Sequence, residues 1–391
     1  MVALDSSGWS QFPLHASAKR VYLADVTSGG DDGNSGLTPE LPKATPSVAY
    51  DLLTHQSGDQ LLVKKGSDFG LGFGQWKKSG LSADYPMLIG TYGSGARPIF
   101  QTGNAYFLFT SGGGGSPSTI DFLAITDIEA TAQSYTGNGS GDVHGVSFAI
   151  ASASITIEGC RFTNFTNGIN FTGAHAGHAS FRIRRNDCSL QFATTGAVGH
   201  GIYLGNAQDL WIVEENICDS NSVSPNETEM RHGFYMPEGS NGTFGILRRN
   251  ISSRNAATGF NLRVGGTTEN NLSLQNPVSF YQAGISSPGV AAYACYFLWN
   301  VALDGANIEA SGRGHAFTFE DWLGGECKHN IFAHNSTGTA PAGFTLQSGT
   351  FTNVEVDDNI LFDWEGGSAI QATAAQLAGT TWSRIQIDLV V

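Results

Sequence analysis

From about residue 150 onward, seven asparagines recur in matched context, and this repeat constrains the fold more tightly than any other feature of the 391-residue chain. A short run of alternating apolar residues leads to each Asn, and polar residues follow. The instances end at Asn186, Asn216, Asn250, Asn271, Asn300, Asn330 and Asn359, with spacings of 30, 34, 21, 29, 30 and 29 residues. Cys160 and Asp127 occupy the same slot one and two repeats earlier. A period near 30 with one short and one long step is the mark of stacked coils whose loops differ in length. Seven Asn in matched context argue against an antiparallel sandwich.

A second run lies later in most repeats: Gly168–Phe171, Gly201–Leu204, Gly233–Met236, Gly259–Leu262, Ala316–Phe319 and Gly343–Leu346. Apolar, polar and apolar residues follow the Gly, which is the alternation of a strand. Gly at the bend is expected to supply a positive φ. The chain holds 51 Gly, about 13% against a usual ~7%, as a turn-rich coil requires. Only Pro42 to Leu53, with Ala44, Val48, Ala49, Leu52 and Leu53, looks helical. The pattern predicts an all-β chain, a right-handed parallel β-helix (a solenoid). Each coil buries its apolar residues only by stacking ~4.8 Å from the next. Residues 1–391 are expected to form one domain, with 1–100 an opening and capping segment and 101–391 the stacked coils. The early helix would cap the N-terminal end and hide strand edges. The Asn column would tolerate left-handed backbone and hydrogen-bond its equivalent one coil away.

Twenty basic against 34 acidic residues give a net charge of −14, which excludes a sequence-independent nucleic-acid binder. The longest unbroken apolar run, Val290 to Trp299, is half of what a membrane span needs, so no membrane insertion is expected. Cys160, Cys188, Cys218, Cys295 and Cys327 show no CxxC pair and no zinc spacing, and read as buried thiols. No basic segment followed by an apolar one opens the chain, so no secretory signal is visible. The expected location is extracellular or virion-associated.

Three segments carry a resemblance: Val21-Tyr-Leu-Ala-Asp25 with Gly30-Asp-Asp-Gly-Asn-Ser-Gly-Leu-Thr-Pro39 and Pro42-Lys-Ala-Thr45, then Gly90-Thr-Tyr-Gly-Ser-Gly-Ala-Arg-Pro98, and the His-Gly-apolar-Tyr runs at 200–203 and 232–235. Together with the repeats they make the chain similar to the pectate-lyase-like superfamily of right-handed parallel β-helix proteins. That superfamily spans lyases, hydrolases, C5-epimerases and phage tailspike depolymerases, so the resemblance implies a fold and a carbohydrate substrate before it implies a reaction. Mannuronan C5-epimerases resemble the repeat region but carry Asp-Pro-His-Glu where this chain has Tyr235-Met-Pro-Glu238. The missing Asp and His argue against epimerase activity.

Stacked strands align equivalent residues in columns. Ile202, Phe234, Phe260, Phe317 and Phe344 are expected to point inward, as are Leu204, Met236, Leu262, Phe319 and Leu346. Tyr203, Tyr235, Asn261, Thr318 and Thr345 then face solvent, followed two positions on by Gly205, Pro237, Arg263, Glu320 and Gln347. Glu238 and Asp321 lie in the following turn. Strict alternation buries His200, His232 and His315, whereas a bend at the adjacent Gly swings them to the edge of a groove. Two reactions fit. In β-elimination on a uronic-acid polymer, Arg263 neutralises the carboxylate, His232 acts as base and Tyr235 donates the proton. Hydrolysis instead needs two carboxylates, drawn from Glu238, Glu320 and Asp321. His200, Tyr203, Asn261, Arg231 and His315 are the candidate substrate-binding residues.

Arg182, Arg184, Arg185, Arg248 and Arg249 form a basic stripe expected to pair with Glu214 and Glu215, and Asp357 and Asp358 would extend it. Asp121, Asp127 and Asp142 are the carboxylates that leave room for Ca²⁺ as a cofactor, without ligand spacing that specifies it. The insertion from Asp219 to Arg231 could wall the groove. The expectation is therefore a polysaccharide lyase, monomeric or homotrimeric, with glycoside hydrolysis or glycan binding without cleavage as the alternatives.

Overall fold

A computed structural model describes residues 3–112, 117–136, 141–172, 178–192, 199–205, 207–208, 210–222, 231–237, 245–282, 292–305, 314–334, 343–347, 349–362 and 370–388. They form two compact units, residues 1–187 and 188–391. Each is a stack of parallel strands of the right-handed β-helix type.

In the first unit one sheet runs Arg20–Leu23, Gln60–Lys64, Met87–Tyr92, Leu123–Thr126, Thr156–Glu158 and Arg182–Arg184 in spatial order. A second holds Asp68–Phe69, Ile99–Gln101, Glu129–Thr131 and Arg161–Thr163, and a third holds Gly74–Gln75, Leu108–Thr110, His144–Phe148 and Asn167–Phe171. The second unit repeats the scheme. Its first sheet runs from Trp211–Glu214 to Thr380–Ser383, and its second from Ile217–Asp219 to Gln386–Asp388. Its third sheet comprises His200–Leu204, Phe234–Met236, Thr258–Leu262, Val278–Gln282, Phe317–Phe319, Phe344–Leu346 and Ile370–Gln371. The inward columns of this sheet, from Ile202 and Leu204 to Phe344 and Leu346, are at most 4% exposed, as the alternation requires. Their rings stack along the coils: Phe234 on Phe260 at 4.7 Å and Phe260 on Phe280 at 4.9 Å, within 11° of parallel.

The asparagines build a ladder. Asn216 donates its backbone N–H and its Nδ2 to Asn250 Oδ1, both at 3.0 Å. Asn250, Asn271, Asn300 and Asn330 each do the same to the next Asn, ending on Asn359. In the first unit the Cys160 N–H donates to Asn186 Oδ1 at 2.9 Å, so Cys160 does hold the ladder slot. The left-handed residue, however, is the one before each Asn. Arg185, Glu215, Arg249, Asn270, Trp299, His329 and Asp358 have φ between 49° and 60°. Asp127, with φ 58°, therefore sits in that bend position, and Ile128 takes the ladder slot. A second, shorter ladder links Asn221, Asn255 and Asn276, five residues after the first.

Other expectations need correction. The N-terminal helix spans only Pro46–Asp51, because Leu23 pairs with Lys43 in extended conformation and Pro46 opens the helix at its first turn. Its far end is closed by Lys78, whose Nζ donates to the Tyr50 and Leu53 carbonyls at 2.7 Å. Gly201, Gly233 and Gly259 do not have positive φ. They are required by close approach: a Cβ on Gly201 would lie 2.5 Å from Cys218 Sγ, and one on Gly233 2.2 Å from Ser252 Oγ.

Arg248 and Arg249 pair with Glu214 at 2.7 and 3.1 Å, as expected. Arg184 also pairs with buried Glu158 at 3.1 Å and donates to the Gly8 carbonyl, while Arg185 lies over the Trp9 ring. Asp357 and Asp358 extend the stripe through Arg384. All five cysteines are free and buried. No helix among the described residues is long and apolar enough to cross a membrane.

Candidate active site

The third sheet of the unit 188–391 brings most of the sequence-derived residues onto one face. Register pairs Tyr203 with Tyr235, Tyr235 with Asn261, Asn261 with Tyr281, Tyr281 with Thr318 and Thr318 with Thr345. Tyr281 is the member that sequence reasoning missed. Its strand reads Val-Ser-Phe-Tyr-Gln and has Ser279 where the neighbouring coils have Gly259 and Ala316, so it lacks the small-residue mark used to find the column. The Phe280, Tyr281, Gln282 alternation was the signal available.

The column is less open than expected. Tyr203, Tyr235 and Tyr281 are half-buried, but Asn261, Thr318 and Thr345 are buried. The three histidines are buried as well, yet on the tyrosine side and not among the phenylalanines. Rings three residues apart meet, His200 with Tyr203 at 5.6 Å and His232 with Tyr235 at 4.8 Å, which places the bend at the intervening Gly. The two imidazoles stack at 5.2 Å, 5° from parallel.

Backbone donors set the histidine tautomers. The His232 N–H donates to His200 Nδ1 at 3.1 Å, and the Thr258 N–H donates to His232 Nδ1 at 3.3 Å. A neutral ring that accepts at Nδ1 carries its proton at Nε2. His232 Nε2 lies 3.2 Å from the Asn261 amide nitrogen, while Asn261 Oδ1 is enclosed without a partner among the described residues. Turning that amide through half a rotation puts Oδ1 on the Nε2–H and satisfies both groups. His315 pairs its Nδ1 with the Thr345 hydroxyl at 2.8 Å. Arg231 is fully buried.

Three side chains from neighbouring coils converge beside this stack. The Tyr281 hydroxyl donates to Glu320 Oε2, and the Arg263 guanidinium lies over the Tyr281 ring at 5.4 Å. Burial, then the hydrogen bond and charge of Glu320, push the Tyr281 phenol well above its ordinary range, and Arg263 opposes the rise. The Arg263 Nε–H is enclosed and meets no acceptor among the described residues. Asp321, with φ 51°, turns away into the next bend, where its Oδ1 accepts the Thr350 N–H at 2.7 Å. Glu238 and residues 223–230 of the insertion lie outside the described residues.

Among the described residues, no group of three or more His, Cys, Asp or Glu is arranged to hold a metal ion. Two of the three carboxylates considered for Ca²⁺ are engaged elsewhere. Asp121 accepts the Ala153 N–H at 2.9 Å, and Asp127 is ion-paired with Lys65 at 2.8 Å and Arg97 at 3.0 Å.

The sequence matches no protein-family model and no curated protein. Among solved structures it is similar to a GH136 lacto-N-biosidase from Eubacterium ramulus, at 13% identity and a TM-score of 0.53 over 95% of this chain and 68% of that one. An alginate lyase from Paenibacillus sp. str. FPU-7 gives 15% identity and a TM-score of 0.49 over 91% of this chain and 99% of the other. A pectate lyase gives 16% identity and a TM-score of 0.45 over 80% of each. The likeness is one of fold, a stack of parallel strands wound as a β-helix.

Proposed function

We propose that this chain cleaves a uronic-acid-containing polysaccharide by β-elimination on the third-sheet face of residues 188–391. The observation that carries the reading is the convergence of Arg263, Tyr281 and Glu320: a cation, a protonated phenol and a carboxylate hydrogen-bonded to that phenol. β-Elimination asks for those three functions.

The roles follow from the contacts. Arg263 places its positive charge against the uronate carboxylate, which acidifies the C5 proton. The Glu320 carboxylate takes that proton. The C5–H electron pair becomes the C4–C5 double bond, and the C4–O bond breaks with its pair on the glycosidic oxygen. Tyr281 gives that oxygen its proton and recovers one from Glu320 along their existing hydrogen bond. His232 is assigned as a donor toward Asn261 and not as the base, because its Nδ1 lone pair is taken by the Thr258 N–H. Tyr235 and Tyr203 offer half-buried ring faces against which sugar rings stack.

The test is a panel of uronate polymers incubated with the protein, with and without Ca²⁺, read by the absorbance of the unsaturated product end beside a reducing-end assay. Rising absorbance supports elimination. Reducing ends without absorbance would move the reaction to hydrolysis, with Glu320 paired to Glu238. Silence in both across the panel would favour a glycan-binding protein.

A further inference from the structure

The second sheet of the unit 188–391 has an outward face that its role in the stack does not explain. First positions of successive strands run Ile217, Ile251, Leu272, Val301, Ile331 and Ile360 in unbroken register. Third positions run beside them as Asp219, Ser253, Leu274, Leu303, Ala333 and Phe362. The residues between, from Cys218 to Leu361, are buried and complete the core. The outer band is thus aliphatic in its first column across six coils and apolar in its third across the last four, and Ile217 is 42% exposed, Ile251 37%, Ile331 41% and Phe362 36%.

The unit 1–187 supplies an internal control. Outward positions of its second sheet are Ile99, Gln101, Glu129, Thr131, Arg161 and Thr163, with Glu129 and Arg161 ion-paired at 3.2 Å. A coil of this kind therefore forms with a mostly polar outer face, and among the described residues a continuous aliphatic band on this sheet belongs to the second unit. Ten side chains each leaving on the order of 50 Å² uncovered give roughly 500 Å², the upper range of a single patch on a monomer. One side of a standard protein interface is ~800 Å², of which somewhat more than half is apolar, so the band matches the apolar part of one such side.

The chemistry selects the partner. Apart from Asp219 and Ser253 at one end, which bond each other, these register positions carry no donor or acceptor side chain and a single aromatic ring, so they do not fit a sugar. A flat band running straight along the stack is self-complementary under a two-fold axis, where the same patch serves both partners. We infer that this face docks a second copy of the chain, independently of the cleavage reading above.

The experiment is light scattering coupled to size exclusion at micromolar concentration, on the full chain and on the double variant Ile251→Lys with Ile331→Lys. The wild type is expected at twice the single-chain mass of 41.3 kDa, and the variant at the single-chain mass with unchanged circular dichroism. Both substitutions sit on outward positions and leave the buried Ser252 and Phe332 intact. Should the lysines disturb folding, Ile251→Thr with Ile331→Thr keeps the β-branched shape and is expected to raise the dimer dissociation constant at least tenfold. A wild type at single-chain mass, or a dimer of undiminished affinity in either folded variant, would overturn the inference.

Discussion

Replacing Asn300 with Ala tests whether the asparagine ladder holds the second unit together or merely decorates its turns. Asn300 is fully buried. Its Oδ1 accepts the Asn271 N–H at 3.0 Å and Asn271 Nδ2 at 2.9 Å, and its own Nδ2 donates to the Thr268 carbonyl at 2.9 Å and Asn330 Oδ1 at 3.2 Å. Truncation spares part of this network. Asn271 Nδ2 keeps the Leu247 carbonyl, and Asn330 Oδ1 keeps the backbone N–H of residue 300. The Asn271 N–H, by contrast, is left buried with no acceptor. One orphaned backbone donor costs about 1–3 kcal/mol and each further lost bond about 1 kcal/mol, so the expected loss is ~4 kcal/mol. Urea unfolding followed by tryptophan fluorescence reads this as a lower midpoint at unchanged slope. A loss below about 1 kcal/mol would refute the reasoning, since it would mean that water or a neighbouring group replaces the ladder freely.

Two further perturbations read the packing and the buried histidines. A Cβ at Gly245 would lie 1.7 Å from Trp211 Cε2, inside a nearly fully buried indole, so Gly245→Ala is expected to cost at least 2 kcal/mol. For a unit of this size that lowers the thermal midpoint by roughly 4–8 °C, and an unchanged midpoint would contradict the packing. Burial depresses His144 and His178 from 6.5 to about 4. Between those values the unfolded chain binds protons that the folded chain refuses, so stability is retained above about 6.5 and lost as pH falls toward 4. The slope is up to ~1.4 kcal/mol per pH unit for each histidine. Urea midpoints that stay flat across that window would show that the two rings are hydrated and not buried.

The coil period was legible because a ladder places one residue type at one backbone position in every turn. Asn250 or Asn330 substituted by a residue without both donor and acceptor would break bonds to coils on either side. The inward columns were legible for a similar reason, since strand alternation fixes the parity of Phe234 and Phe260 relative to the tyrosines. What the sequence hid lies in distances between coils. Nothing in the run Gly-Phe-Tyr-Met says that Gly233 is needed because Ser252 presses against it, nor that the left-handed φ belongs to the residue before each Asn. Tyr281 escaped because its coil has Ser279 for Gly or Ala and a buried Gln282 where neighbours have Leu or Phe. Its pairing with Glu320 across 39 positions has no local signature at all. His232 was visible as a candidate base, but the donor that occupies its Nδ1 comes from the next coil, at Thr258.

The most direct measurement of the central claim is the rate of double-bond absorbance with Tyr281→Phe beside the wild type, on whichever uronate polymer the wild type degrades. The substitution removes one hydroxyl and keeps the ring beneath Arg263. If Tyr281 and Glu320 share the proton transfer, the variant should fold normally and lose about 10²–10⁴ in kcat. A folded variant that produces unsaturated ends at the wild-type rate would contradict the account.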